Sequence, residues 1–580
     1  MDIEPKKARS GAVDALLRRI EMVPASDRFF LRILFFAVIG SVIFTLYHFN
    51  SDNSSITATR GGTLTEAVLG TPRFVNPVLA NTRADQDVTA LVYSGLLAIS
   101  ADGTLRPDAA SSVTVSEDGL TYNVVLREDM YFHDGERLTA EDVIFTIQLA
   151  QDADLKSPIR GNWTGVTLEN IGEFELNVLL EEPYAPFIEN FVLGIMPSHL
   201  WSTLPIEQLP FSQLNTEPIG TGPYMVESAQ RDVSGVITEY ELTAFGNESA
   251  QPNIQTFNFK FFDQESDIIE ALNNGSIDTT GYISNENLSL VDKEKFELHT
   301  MALPRIFGVF FNQNRSSVLL DDSVREALSV AINRTELIDE VLNGYGVPIS
   351  TPFASLQGEI ESDEHNLSAT PSTTIELARE ILEAGDWEQS ELGFWEKEID
   401  DVDTTLSITL RTSNTPLFES TLEAVTTAWN EVGVEVVTEQ FEQTGLVQSV
   451  IRPRDFQALL FGVDMSRSYD LYPFWHSSQK DDPGLNIAQY TNLAVDELLE
   501  DARVVTDIAE RDTLLAEASE IITDELPAVI LFQPEFVYVV DADVSATLPT
   551  RPGKPADRFS LLNDWHTTSD VLWPTFHDDM

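Results

Sequence analysis

From Phe29 to Phe49 the chain is almost continuously apolar, FFLRILFFAVIGSVIFTLYHF. A run of this length spans a bilayer as a tilted helix. Arg32 sits near its start, where the side chain reaches the interface. Lys6, Lys7, Arg9, Arg18, Arg19 and Arg28 precede the run, so 1–28 reads as a cytoplasmic tail, 29–49 as a single transmembrane anchor, and the rest as extracytoplasmic. No A-x-A pattern follows at His48-Phe49-Asn50-Ser51, which favours an uncleaved anchor over a signal peptide. Val13, Leu16, Leu17 and Ile20 have the spacing of a short amphipathic helix. The polar stretch 50–60 reads as a flexible tether.

Beyond Gly61 the periods alternate between two and near four, which predicts mixed strands and helices. Thr121–Leu126 alternates as a strand, and His133-Asp134-Gly135 reads as a turn. Thr139 with Asp142 forms a capping-box pattern, as does Ser323 with Glu326 ahead of a helix over Val324–Asn333. Helices are predicted over Ile375–Ala384, stopping at Gly385, and over Pro416–Val432, stopping at Gly433 before a strand Val434–Val437. Val495–Thr523 holds one or two helices, and Pro527–Val540 reads as a buried strand. The fold class is α/β, or mixed α+β.

Composition changes this picture in two ways. With 94 acidic against 35 basic residues the formal charge is −59, which repels phosphate backbones and argues against nucleic acid as a partner. A hydrophobic fraction of 43% marks a globular chain able to bury a large core. The absence of Cys excludes disulfides and Cys-ligated metal. No nucleophile elbow, H-E-x-x-H, P-loop or G-x-G-x-x-G occurs, and no two of the eight His have metal-ligand spacing. No catalytic residue, metal site or cofactor is expected.

Ordered motifs then carry a resemblance. Gly61-Gly62-Thr63-Leu64, Asn76-Pro77-Val78-Leu79-Ala80 and Leu91-Val92-Tyr93-Ser94-Gly95-Leu96 come first. Pro107-Asp108-Ala109-Ala110, Ser116-Glu117-Asp118-Gly119-Leu120-Thr121-Tyr122, Phe132-His133-Asp134-Gly135 and Thr139-Ala140-Glu141-Asp142-Val143 follow. Pro218-Ile219-Gly220-Thr221-Gly222-Pro223-Tyr224, Val324-Arg325-Glu326-Ala327-Leu328, Tyr490-Thr491-Asn492 and Asp564-Trp565 complete the series. In this order the chain resembles the family 5 extracellular solute-binding proteins, the oligopeptide- and dipeptide-binding components of ABC importers.

The resemblance implies a type II periplasmic-binding-protein-like fold: two lobes, a hinge and an extra subdomain. Lobe I would be 61–85, 218–304 and 530–580, the extra subdomain 86–217, and lobe II 305–529, with crossovers near Pro304 and Pro527. It further implies an extended peptide held between the lobes, with a lobe II acid on its ammonium group. In this chain Val463 replaces the family's Trp and Ser466 falls at the acid position, so Asp464 or Asp470 takes the role, Asp464 preferred. Asn76 would face the cleft from lobe I, and Trp475, with His476 or Ser477, would line it or pack beneath it. Arg452 would meet a ligand carboxylate, with Arg454 competing. Trp163 would be structural. The expected protein is a monomer that delivers a solute, preferentially a peptide, to ABC permease subunits. The alternatives are an oligosaccharide, opine or metal complex as ligand, a ligand-sensing receptor module, and an extracellular hydrolase.

Overall fold

The β-branched and aromatic run predicted over Pro527–Val540 forms one strand, Ala528–Asp541, buried over most of its 14 residues. In the computed structural model, which describes residues 24–53, 55–246, 251–353, 371–399, 401–567 and 569–572, this strand organises the molecule. The expected amphipathic helix around Val13 and Leu17 lies outside the described residues. Five strands define the architecture: β1 (Thr63–Leu69), β2 (Phe296–Ala302), β3 (Arg305–Phe311), β4 (Ala458–Asp464) and β5 (Ala528–Asp541).

β5 belongs to two lobes at once. Its first part pairs antiparallel with β3, from Phe310↔Ala528 to Phe307↔Phe532. Its second part pairs with β2, from Ala302↔Glu535 to Phe296↔Asp541. β3 in turn pairs with β4, and Thr279–Thr280 joins β5 to β1. The result is a continuous 12-stranded sheet. The buried side chains divide at the same place. One hydrophobic core takes residues between Leu64 and Met301 and from Phe536 to Trp565; two others take residues between Ile306 and Phe532. The first passage between the cores falls between Met301 and Ile306, around Pro304. The second is at Gln533-Pro534, not Pro527, because β5 crosses between the cores as a strand and changes partner only there. Gln533 marks the crossing: its side-chain amide donates to the Leu303 carbonyl at 2.6 Å and to the Tyr469 hydroxyl at 2.8 Å.

Lobe I is tied by a buried charge cluster. Arg558, fully buried, donates to Glu66 at 2.8 Å and to Asp87 at 2.6 Å, while the Tyr538 and Tyr282 hydroxyls donate to the same two carboxylates at 2.6 and 2.8 Å. Burial raises the Glu66 carboxyl above its ordinary range, with Arg558 opposing. The subdomain contributes a four-stranded sheet and the helix Ala140–Gln151, opened by the expected Thr139/Asp142 box. Trp163 is buried there against Phe187, as expected.

Some local expectations shift. The helix expected from Val324 runs Asp322–Val330 and is capped by Asp321, whose carboxylate accepts from the Ser323 N–H at 3.0 Å. It stops before Asn333 because Asn333 caps the next helix, Arg334–Leu342. Gly433 ends its helix left-handed at φ 109°, and the following strand is longer than predicted, Glu435–Phe441.

The ends of the described chain, up to Thr59 and over 569–572, form a separate unit. Its helix Ala25–Asn53 carries exposed Phe29, Phe36, Phe44 and Tyr47. Its side chains are described without a break only over 33–48, and among the described residues no helix is long and apolar enough to cross a membrane. The expected tether over 50–60 is corrected: the helix reaches Asn53, and Ser55–Ala58 pairs antiparallel with Ser569–Leu572. Residues 569–572 therefore leave lobe I, to which 530–580 had been assigned.

Candidate ligand cleft

The lobes meet along a polar seam. On the subdomain side lies the 3-10 helix Ala185–Val192, preceded by Tyr184. On the lobe II side lies the loop after β4, residues 465–471. Ser466 and Tyr469 adopt left-handed backbone at φ 60° and 51°. Such conformations in non-glycine residues cost energy and gather at functional sites. The turns present alternate side chains to different partners. The Arg467 guanidinium donates across the seam to Asp557 at 2.7 Å, with both side chains largely buried. Asp557 is already held by the Gly553 and Lys554 N–H groups at 2.6 and 3.2 Å.

Asp470 makes the second crossing. Its carboxylate accepts from the Tyr184 hydroxyl at 3.1 Å and lies 3.4 Å from Arg503 Nε. The Arg503 guanidinium stacks over the Tyr184 and Tyr472 rings, 4.6 and 4.3 Å from their centroids. Between these crossings lies Glu189. Burial pushes its carboxyl up to about 7, against the opposing pull of Arg467, Arg511 and the Ser468 N–H and with added repulsion from Asp557. A cavity of about 830 Å³ reaches the seam at Glu189 and Asp557 and continues past Lys554, Asp108 and Trp163 through lobe I and the subdomain. That volume falls within the range of ligand pockets.

The residues chosen from sequence are dispersed. Among described residues no hydrogen bond, ion pair or ring contact joins any two of Asn76, Arg452, Asp464, Asp470 and Trp475. Asn76 is buried; its side chain donates to Asn215 at 3.2 Å and accepts from the Val78 N–H at 3.0 Å, so it shapes its own loop. Arg452 is exposed beside Asp482 at 3.7 Å, and Arg454 is spent on the Lys480, Ile451 and Gly484 carbonyls. Asp464, the preferred acid, sits opposite Arg305 in the β3–β4 register and pairs with it at 3.1 Å, half-exposed. Trp475 is core: it packs on Phe310 and edge-on to Tyr490, which corrects the cleft-lining alternative. His476 and Ser477 bond Ser478 and Asp496 behind it. Only Asp470 lies in the seam. Tyr184, Glu189, Arg467, Arg503, Arg511 and Asp557 carry no local sequence signal, since they come from four distant segments.

His133 is the turn residue it was taken for. Its Nδ1 accepts the Gly220 N–H at 3.3 Å, so the proton sits on Nε2, 3.1 Å from the Gly222 carbonyl oxygen; burial pushes the ring down to about 4.

Two lobes thus share one strand and meet along a polar seam. Residues 104–483 match the family described as bacterial extracellular solute-binding proteins, family 5 Middle. The chain belongs to this family. Among relatives of this solute-binding protein, the oligopeptide-binding protein AppA of Bacillus subtilis (strain 168) is 25% identical over 495 residues, covering 82% of this chain and 87% of AppA. The glutathione-binding protein GsiB of Escherichia coli (strain K12) is 25% identical over 471 residues, 80% of this chain and 87% of GsiB. Among solved structures, AppA in complex with a nonapeptide aligns with a TM-score of 0.62 at 22% identity, over 88% of this chain and all 100% of AppA. HbpA2 from Haemophilus parasuis aligns at 0.71 and 21% identity, over 84% of this chain and 96% of HbpA2. The structural matches establish the type of fold.

Proposed function

We propose that this protein captures a peptide between its lobes and delivers it, as a monomer, to an ABC permease. The observation that carries the reading is the seam itself. Two lobes share β5, turn at Pro304 and Pro534, and meet through side chains, Arg467 on Asp557 and Tyr184 on Asp470, that can separate and re-form. Family membership supports solute capture. The printed activities of AppA and GsiB, oligopeptide and glutathione binding, support a peptide. An extended peptide would take main-chain hydrogen bonds for affinity, with Asp470 beside it.

The reading includes a membrane anchor. The apolar run 29–49 and the basic residues before it support one. Tethering would raise the concentration of the binding domain at its permease. The test is twofold. Mass spectrometry of small molecules released on denaturing the purified protein should find peptides; sugars or metal chelates in their place would sink the peptide reading. Full-length protein should fractionate with membranes, and a chain beginning at Gly61 should not.

A further inference from the structure

We propose that the cavity within lobe I and the subdomain is a second binding site, separate from the space between the lobes, and that it holds a neutral saccharide. The cavity measures about 830 Å³, and no residue of 305–529 lines it, so lobe II supplies none of its wall. Two helical faces build much of it. On the helix Arg83–Val92, Gln86, Thr89 and Ala90 recur at the spacing of one face. On the 3-10 segment Pro555–Asp564, Ala556, Ser560 and Asn563 line the same space. Arg558 of the second element donates to Asp87 of the first at 2.6 Å, outside the cavity, and fixes the two faces against each other.

The polar groups left over on these faces are uncharged. Among the described residues, the buried hydroxyls of Thr89 and Ser560 have no hydrogen-bond partner. Buried polar groups are nearly always paired, so two unpaired ones on facing elements of one cavity ask for a ligand. The side-chain amides of Gln86, Asn190 and Asn563 also line it and bond no other described residue. Hydroxyls and amides each offer both donor and acceptor, which is what a sugar hydroxyl takes; a carboxylate takes only donors and an ammonium only acceptors. The charges at the wall do not favour an ion. Three cations, Arg106, Arg127 and Lys554, stand with four carboxylates, Asp108, Asp129, Glu189 and Asp557. Asp129 is taken by Arg127 at 3.1 Å, and Asp557 by Arg467 and its own amides. Burial keeps a proton on Glu189 up to about pH 7, and with it the two signs cancel. Tyr131 and Phe245, both partly exposed at the wall, offer ring faces on which the C–H side of a pyranose can rest.

The test is calorimetry on the full chain with maltotriose, cellotriose, the trimer of N-acetylglucosamine, and tri-alanine. At least one trisaccharide should bind in the millimolar range or tighter. Ala90→Trp, at an exposed helix position on the cavity wall, should weaken that sugar at least tenfold and leave tri-alanine within twofold. Hydrogen exchange on the wild type serves should the variant fail to fold: the sugar should slow amide exchange over 83–93 and 555–563 and leave 458–471 unchanged. No binding by any of the three sugars overturns the proposal and leaves the peptide reading to tri-alanine. A sugar that protects 458–471 instead, or that Ala90→Trp does not weaken, overturns the proposal by placing the sugar elsewhere. Sugar binding at the cavity without any binding of tri-alanine upholds the proposal and counts against the peptide reading alone.

Discussion

Glu189 carries the clearest consequence at the scale of one residue. Its carboxyl titrates near pH 7 when folded, against an ordinary value of 4.5. Between those values the folded protein holds a proton that the unfolded chain has released. The contribution of this group to stability is therefore full below about pH 4.5 and is lost as pH rises through 7. The shift corresponds to about 3 kcal/mol at most. Glu189→Gln removes the titration, so the variant should gain stability relative to wild type between pH 5 and pH 8, by up to about 3 kcal/mol. Urea unfolding of both proteins at the two pH values measures it, and parallel pH profiles would show that the carboxyl is not buried as described. A second residue-scale test concerns Arg558. Arg558→Met leaves Glu66 and Asp87 buried without their cation and should cost about 3–5 kcal/mol, read from the urea midpoint. An unchanged midpoint would mean the cluster is hydrated.

At the scale of elements, Gly220-Thr221-Gly222-Pro223 is more than turn chemistry. Neither glycine has positive φ; both lie against the carbonyl end of the helix Arg83–Val92, where a Cβ would collide with the Leu91 and Val92 backbone. The Gly222 N–H also donates to the Val92 carbonyl at 2.8 Å. Gly222→Ala should therefore destabilise by about 1–3 kcal/mol or more through overpacking. A thermal transition unmoved by the change would contradict so close an approach. Caps and stops, by contrast, were legible in sequence. The Thr139/Asp142 box and the Gly433 stop depend on residues within one turn, so the pattern suffices. The Ser323 box failed because Asp321, two residues earlier, already caps the helix by accepting from the Ser323 N–H, and it also accepts from Lys397 at 2.6 Å. That second partner is distant in sequence.

The whole molecule combines a self-repelling surface with oppositely charged pairs at its seam. Surface repulsion at −59 acts over the Debye length, which shrinks from roughly 30 Å at 0.01 M salt to about 3 Å at 1 M. The Arg467–Asp557 pair is largely buried and is screened far less. Added NaCl should therefore raise the thermal midpoint across that range, as calorimetry would read. A midpoint that falls with salt would mean that attractive surface pairs outweigh the net repulsion.

What the sequence determined by itself was whatever depends on near neighbours or on ordered motifs: the apolar run, the Thr139/Asp142 box, the Gly433 stop, the mixed fold class and the family resemblance. Tertiary structure decided the rest. It placed the second crossover at Pro534, since a strand pattern does not reveal where its pairing partner changes. It gave Asp464 to Arg305 and Trp475 to the core, leaving Asp470 in the seam. It gathered Tyr184, Glu189, Arg467, Arg503, Arg511 and Asp557, which no local period connects. Among 94 acids no pattern distinguishes a buried carboxyl from a solvated one; only the packing around each, and the cation that reaches it, does so.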